Sequence, residues 1–165
     1  MDSMIIYLIK ASLVAAFTYL AYVDWHSFRL PNRITLPLIV LGMTFNGLFE
    51  QQFVSATSAW IGAVVGYGSL WALNATYRLV RGKNGVGMGD AKLLAALGAW
   101  LGWESLPSIL LMASILGLIG GIAWLRWHRQ QLQQAFPFGP FLAIAGIIEL
   151  LWPQIIPTLI IPRLI

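Results

Sequence analysis

Two aspartates, Asp24 and Asp90, stand where the sequence could use a carboxylate for chemistry. Asp24 closes the first long apolar run, and Asp90 opens a later one behind the alternating glycines Gly85, Gly87 and Gly89. Two carboxylates in one poorly solvated site cannot both ionise easily, so one keeps its proton while the other acts as a base. Such a pair can activate a water molecule against a carbonyl carbon and protonate the carbonyl oxygen. These residue types therefore suit hydrolysis of a peptide bond.

Other kinds of site are excluded or disfavoured by composition. The chain of 165 residues has no cysteine and two histidines, which excludes disulfides, cysteine zinc sites and a thiol nucleophile. We therefore expect no metal ion and no cofactor. The net charge of +4 would suggest nucleic acid as a partner of a soluble protein, but here we expect it to reflect membrane topology and predict no nucleic-acid binding.

The chain is predicted to be an all-α, polytopic membrane helix bundle that forms a single domain over residues 1–165. It is 59% hydrophobic and 10% charged, with a mean hydropathy of +0.78, too little charge to cover a water-soluble domain. Several apolar runs approach the roughly 20 residues that cross a bilayer. We predict about six spans, at 4–23, 34–49, 59–79, 91–103, 106–125 and 138–152.

The loop charges orient this bundle. Eight of the ten lysines and arginines lie in or beside the first, third and fifth loops, which predicts that those loops are cytoplasmic and that both termini lie outside. The eight are Arg29, Arg33, Arg78, Arg81, Lys83, Lys92, Arg126 and Arg129. Tryptophans are expected at both membrane faces, with Trp25, Trp124 and Trp127 inside and Trp100, Trp103 and Trp152 outside. By this topology Asp24 and Asp90 share one depth near the cytoplasmic face.

The fourth span is unusually short. Its 13 residues measure about 20 Å at 1.5 Å each, less than a bilayer core of about 30 Å. We therefore expect Asp90 to lie below the membrane surface in a cavity that water can enter. The glycines before it are expected to adopt backbone conformations that other residues avoid. Glycine pairs at 62 and 66, 98 and 102, and 117 and 121 predict close helix packing.

Each aspartate also has an ordinary interpretation. Asp90 could be a simple N-cap of the helix that it precedes. Asp24 could be an interfacial acid paired with Arg29, although a negative charge at a helix C-terminus opposes the helix dipole. Two acids at one depth favour a functional site, because ionisable groups inside a membrane are functional candidates.

Three blocks of the sequence resemble the type IV prepilin peptidases, membrane aspartic proteases with a GxGD motif. The motif is Gly87-Met88-Gly89-Asp90. A second block, "DWHSFRLPNRITLPL", begins at Asp24 and contains Pro31-Asn32, and a third, "PFGPFLAIAG", begins at Pro137. The blocks follow the family order and the resemblance covers nearly the whole chain.

The resemblance implies a membrane aspartic endopeptidase whose catalytic residues are Asp24 and Asp90. Its substrates would be prepilins or pseudopilins of type IV pilus or type II secretion systems. Cleavage would remove a basic leader at the cytoplasmic face of the bacterial inner membrane. Substrate-binding or motif-shaping roles are expected for Gly87, Gly89, Pro31, Asn32 and Lys92, although Lys92 is also a candidate anchor that reaches lipid head groups. The chain resembles the short form of the family, without a cysteine-containing N-terminal segment, and methyl transfer is not predicted.

Two other functions stay open at this point. A small transporter or proton-conducting protein would also place buried acids beside water, but repeat symmetry and acids at the bilayer midplane are not visible in the sequence. An assembly factor could keep the fold and bind pilins without cutting them. The sequence does not indicate the particular pilin, the leader-recognising residues or the oligomeric state.

Overall fold

The computed structural model describes residues 3–49, 52–83, 85, 87–128 and 137–153, without the side chains of 123–128. Within these ranges the chain is all α-helical and contains no strand, as predicted. The six helices are α1 (Ser3–Ser27), α2 (Asn32–Leu48), α3 (Ala56–Arg81), α4 (Met88–Leu101), α5 (Leu106–His128) and α6 (Gly139–Leu151). A short 3₁₀ turn, Trp103–Ser105, joins α4 to α5. Each predicted span corresponds to one helix.

The outer surface of the bundle is apolar. Two helical stretches, Ser3–Ser27 and Trp103–Ile122, are long and apolar enough to cross a membrane, and Gly139–Leu151 is apolar but shorter. Large apolar side chains project outward from three different helices, including Leu8, Val64 and Leu118. A continuous exposed apolar surface of this kind suits contact with lipid rather than water.

Helix α4 is short because it forms the centre of the bundle. Its side chains are buried from Asp90 to Trp100 with the exception of Lys92, and it packs against α2, α3 and α6. A helix that is apolar on nearly all sides suits this position, because other helices cover it. The central position also fixes Asp90, at the start of α4, among the surrounding helices.

Glycines bring the backbones of α3 and α4 into direct contact. A Cβ atom built on Gly62 would lie 2.3 Å from the carbonyl oxygen of Gly98, and one on Gly66 would lie 2.7 Å from that of Leu94. The predicted close packing is therefore confirmed for these helices. At the third pair, the space beside Gly117 is taken by the ring of Phe138, 3.5 Å from the Cβ position.

Trp100 lies in the core, so its predicted place in the outer aromatic belt is wrong. Only 6% of its surface is exposed; it stacks on Phe45 and donates its indole N–H to the carbonyl of Leu38 at 2.9 Å. A buried indole needs such an acceptor. Gly42 leaves the room for this ring, since a Cβ there would lie 2.9 Å from it. Trp25, Trp103 and Trp152 are exposed, and the side chains of Trp124 and Trp127 lie outside the described residues.

Gly62→Ala should destabilise the bundle by about 1–3 kcal/mol, because the added methyl group has no space against the α4 backbone. The matched control is Gly68→Ala on the same helix, where a Cβ meets nothing within 4 Å and alanine favours the helix by up to about 1 kcal/mol. Thermal unfolding of the two variants in one detergent measures the difference. Equal melting temperatures would contradict the close approach.

Candidate active site

Asp24 and Asp90 lie together at one end of the bundle. Asp24 belongs to the last turn of α1 and Asp90 to the first turn of α4, and they are 5% and 8% exposed. A Cβ atom built on Gly139 would lie 2.5 Å from Oδ2 of Asp24 and 3.2 Å from Oδ1 of Asp90. The two oxygens are therefore no further apart than the sum of those distances, which is about the 4–6 Å over which like charges oppose each other's ionisation.

The start of helix α6 faces Asp24. The backbone N–H of Gly139, the first residue of α6, donates a hydrogen bond to the Asp24 carboxylate. This contact offsets the unfavourable position of the acid at the C-terminus of α1, because a helix N-terminus favours negative charge. The next residue, Pro140, has no N–H to donate, so Gly139 is the donor of that first turn nearest to the site.

Asp90 is the third residue of α4, and its interpretation as an N-cap is therefore wrong. The N-cap is Gly87, whose carbonyl accepts from the N–H of Asp90 at 3.1 Å. In return the N–H of Gly87 donates to the Asp90 carboxylate. This is one half of a capping box, in which an acid at the third position reaches back to the cap; the other half is missing because glycine has no side chain to accept from Asp90. One carboxylate thus closes its own helix end and contributes to the acid pair.

The glycines before Asp90 provide space rather than unusual backbone angles. Gly87 has φ −67° and ψ 132°, which any residue can adopt, and Gly89 is helical. A Cβ on Gly87 would lie 3.1 Å from Oδ2 of Asp90, and one on Gly89 would lie 3.1 Å from the Cβ of Leu30. The expectation of strained backbone at these two positions is therefore wrong.

Asn74 of α3 anchors the glycine loop. It is 7% exposed, and its Oδ1 accepts from the N–H of Gly85 at 2.9 Å. Its Nδ2 lies 3.9 Å from the sulfur of Met88, the first residue of α4. The ring of Tyr77, one turn further along α3, covers Gly85. These contacts fix the start of α4, and with it Asp90, against the end of α3.

The remaining predicted site residues join α2 to α4. Pro31 is the N-cap of α2, and its carbonyl accepts from the N–H groups of Ile34 and Thr35 at 3.1 and 3.2 Å. Lys92 was expected to reach lipid head groups, but its Nζ donates to Oδ1 of Asn32 at 2.7 Å. The hydrogen bond between Lys92 and Asn32 therefore connects the two sequence blocks that contain the aspartates.

This hydrogen bond can be tested by a double-mutant cycle of Lys92→Met and Asn32→Ala. We expect each single change to cost about 1 kcal/mol of stability and the double change to cost less than the sum, with a coupling of at least about 0.5 kcal/mol. Thermal unfolding of the four proteins gives the coupling. Additive losses would mean that the two side chains act independently.

Positive side chains surround the same end of the bundle. Arg29 and Arg33 flank the start of α2, and Arg78 and Arg81 lie in the last turn of α3; all four and Lys83 are exposed. Arg129 and the side chain of Arg126 lie outside the described residues. Among the described side chains, no group of three or more histidines and acids is arranged to hold a metal ion.

Sequence reasoning missed Gly139, the residue whose backbone lies against both carboxylates. The available signal was a glycine placed between Phe138 and Pro140 at the opening of an apolar run. That pattern marks a helix start with proline in the first turn. Nothing in it indicates that this helix end meets Asp24, because the contact joins residues more than a hundred positions apart.

Comparison with known proteins relates the chain to leader peptidases. Residues 11–122 match the model of the type IV leader peptidase family. The chain is 48% identical over 133 residues to a prepilin leader peptidase/N-methyltransferase of Aeromonas hydrophila, across 81% of this chain and 45% of that protein. It is 45% identical over 134 residues to the protein of the same name from Neisseria gonorrhoeae, again across 81% of this chain and 45% of the relative.

The chain spans less than half the length of these curated relatives. No solved structure matches it significantly. The family match covers α2, α3 and α4 completely and includes both aspartates. By this match, the chain belongs to the type IV leader peptidase family.

Proposed function

We propose that this protein is a membrane aspartic endopeptidase that removes the leader from prepilins or pseudopilins. The observation that carries the proposal is the meeting of Asp24 and Asp90, two buried carboxylates on helices that run in opposite directions. The names of the relatives, which describe prepilin leader peptidases, support the same activity. The family model concerns leader peptidases, so the proposal is limited to cleavage and does not include methyl transfer.

In the proposed mechanism the two carboxylates share one proton and bind a water molecule between them. The ionised carboxylate takes a proton from the water as its oxygen attacks the scissile carbonyl carbon. The protonated carboxyl group donates its proton to the carbonyl oxygen. Collapse of the tetrahedral intermediate breaks the C–N bond, and a proton passes to the leaving amine. The acids titrate as a pair, so neither has a fixed role as acid or base.

The surrounding residues position this pair. Gly87 and Gly139 donate backbone N–H groups to the two carboxylates, and Gly89 lets Leu30 approach the start of α4. Pro31, Asn32 and Lys92 hold α2 beside α4. In our proposal these residues shape the site and do not take part in proton transfer.

The proposed orientation places the aspartates toward the cytoplasm of the bacterial inner membrane and both termini outside. Exposed cations at the aspartate end support it by the positive-inside rule. Because the chain has no cysteine, single cysteines can report orientation without background. Lys83→Cys at the aspartate end should react with an impermeant thiol reagent only after the cells are opened, whereas Trp103→Cys should react in intact cells. The reverse pattern would invert the topology.

The activity itself is tested by mixing the purified protein with a prepilin in detergent. We expect a shorter product on a gel, and its mass should correspond to loss of the basic leader up to the hydrophobic helix. A homologous peptidase that cuts the same prepilin in a parallel reaction is the positive control. Prepilin that this protein leaves uncut, while the control cuts it, would contradict the proposal. Binding without cleavage in the same assay would favour an assembly factor.

A further inference from the structure

A cavity with mixed polar and apolar walls lies at the opposite end of the bundle from the aspartates. It has a volume of about 710 Å³, within the range of roughly 300–1,000 Å³ typical of ligand sites. Its walls come from the N-terminal half of α1, the start of α3, the end of α4, the start of α5 and the end of α6. From Asp90 to Leu101 along α4 the rise is about 16 Å, so the cavity is separate from the proposed active site.

The cavity contains charges of both signs. Glu149 of α6 lines it and is only 5% exposed, and Glu104 accepts a hydrogen bond from the hydroxyl of Ser58. Lys10 also lines the cavity, and its Nζ lies 6.0 Å from the centre of the Phe53 ring. Burying a charged group within a membrane bundle costs free energy, so such groups are candidates for functional sites.

The position of the cavity coincides with the expected level of lipid head groups. Trp103 and Trp152, which lie beside Glu104 and Pro153 of its wall, are 46% and 60% exposed. Tryptophan is enriched where the polar head groups meet the hydrocarbon. Ile6 and Leu150 add an apolar part to the wall. A ligand of this cavity would therefore contact both polar and apolar side chains.

We propose that this cavity binds the head group of a zwitterionic aminophospholipid. A primary ammonium group has three N–H donors, which suit the carboxylates of Glu104 and Glu149, and the phosphate suits the ammonium of Lys10. A choline head group cannot make the same contacts, since its nitrogen has no N–H. An anionic glycerol head group has no ammonium group, so it offers the two carboxylates no positively charged partner.

The test compares phosphatidylethanolamine, phosphatidylcholine and phosphatidylglycerol with matched acyl chains. The full chain is purified in detergent, incubated with equal amounts of the three lipids and analysed by native mass spectrometry. We expect one bound phosphatidylethanolamine, retained at least about tenfold over either competitor, because charge-assisted hydrogen bonds are lost with the others. Equal retention of the three lipids, or preference for phosphatidylglycerol, would overturn the proposal.

Variants test whether this cavity is the binding site. Lys10→Gln should lower the amount of phosphatidylethanolamine retained at least about fivefold, because it removes the phosphate contact that all three lipids share, and Glu149→Gln should lower the preference at least about fivefold. Lys83→Gln, which removes one positive charge at the other end of the bundle, should keep it. Lys10 is only half-buried, so its variant tests the site independently of the buried Glu149. Unchanged retention of phosphatidylethanolamine in the Lys10 variant would show that the lipid binds elsewhere and would overturn the assignment.

Discussion

Asp24→Asn and Asp90→Asn should each reduce prepilin cleavage by about 10³-fold or more while leaving the protein in the membrane. The mechanism needs each carboxyl group in both its ionised and its protonated form, and an amide can adopt neither. General acid–base catalysis contributes roughly 10²–10⁴-fold to the rate. Asparagine keeps the shape of aspartate and can still accept the N–H of Gly139 or Gly87. The fold is therefore expected to survive, and initial rates on a purified prepilin measure the effect.

The double variant is the internal control for this prediction. Because the two carboxylates act as one unit, Asp24→Asn/Asp90→Asn should lose no more activity than the more damaged single variant. Membrane levels and thermal unfolding of all three proteins show whether loss of activity follows loss of structure. Cleavage that persists near the wild-type rate in either single variant would remove the aspartate pair as the catalytic centre.

Gly139→Ala should lower kcat by about 100-fold, although it changes no ionisable group. The new methyl group would lie 2.5 Å from Oδ2 of Asp24 and 3.2 Å from Oδ1 of Asp90, so the carboxylates or the start of α6 must move. Misplacement of reacting groups by about 1 Å can cost 10²-fold in rate. The prepilin contacts away from the pair are unchanged, so we expect a much smaller effect on KM.

The matched control is Gly47→Ala, the same substitution at a position of α2 where a Cβ meets nothing within 4 Å. This variant should cleave at the wild-type rate. Thermal unfolding distinguishes a displaced active site from a destabilised bundle. If only the active site is displaced, Gly139→Ala has a lower kcat but still unfolds near the wild-type temperature. Wild-type kcat in Gly139→Ala would contradict the position of Gly139 between the acids.

Proximity of the two aspartates could be predicted from the sequence because it follows from chain direction. One helix ends at Asp24 and another begins at Asp90, and the loop charges place both ends on one side. The number of helices, the short α4 and the close packing at Gly62 and Gly98 were predictable for a similar reason, since they depend on apolar length and glycine spacing. These features are local patterns or simple consequences of alternating direction.

Contacts between distant parts of the chain were decided only by the tertiary structure. The sequence could not indicate that α6 presents Gly139 to Asp24, or that Trp100 turns inward to the carbonyl of Leu38. It also could not combine Lys10, Glu104 and Glu149 in one cavity, since they belong to different elements. Hydropathy and motif spacing determine which segments are helices and which helix ends lie on the same side of the membrane. The rotation and depth of each helix depend on how all six pack together, and this packing determines which backbone group meets which side chain.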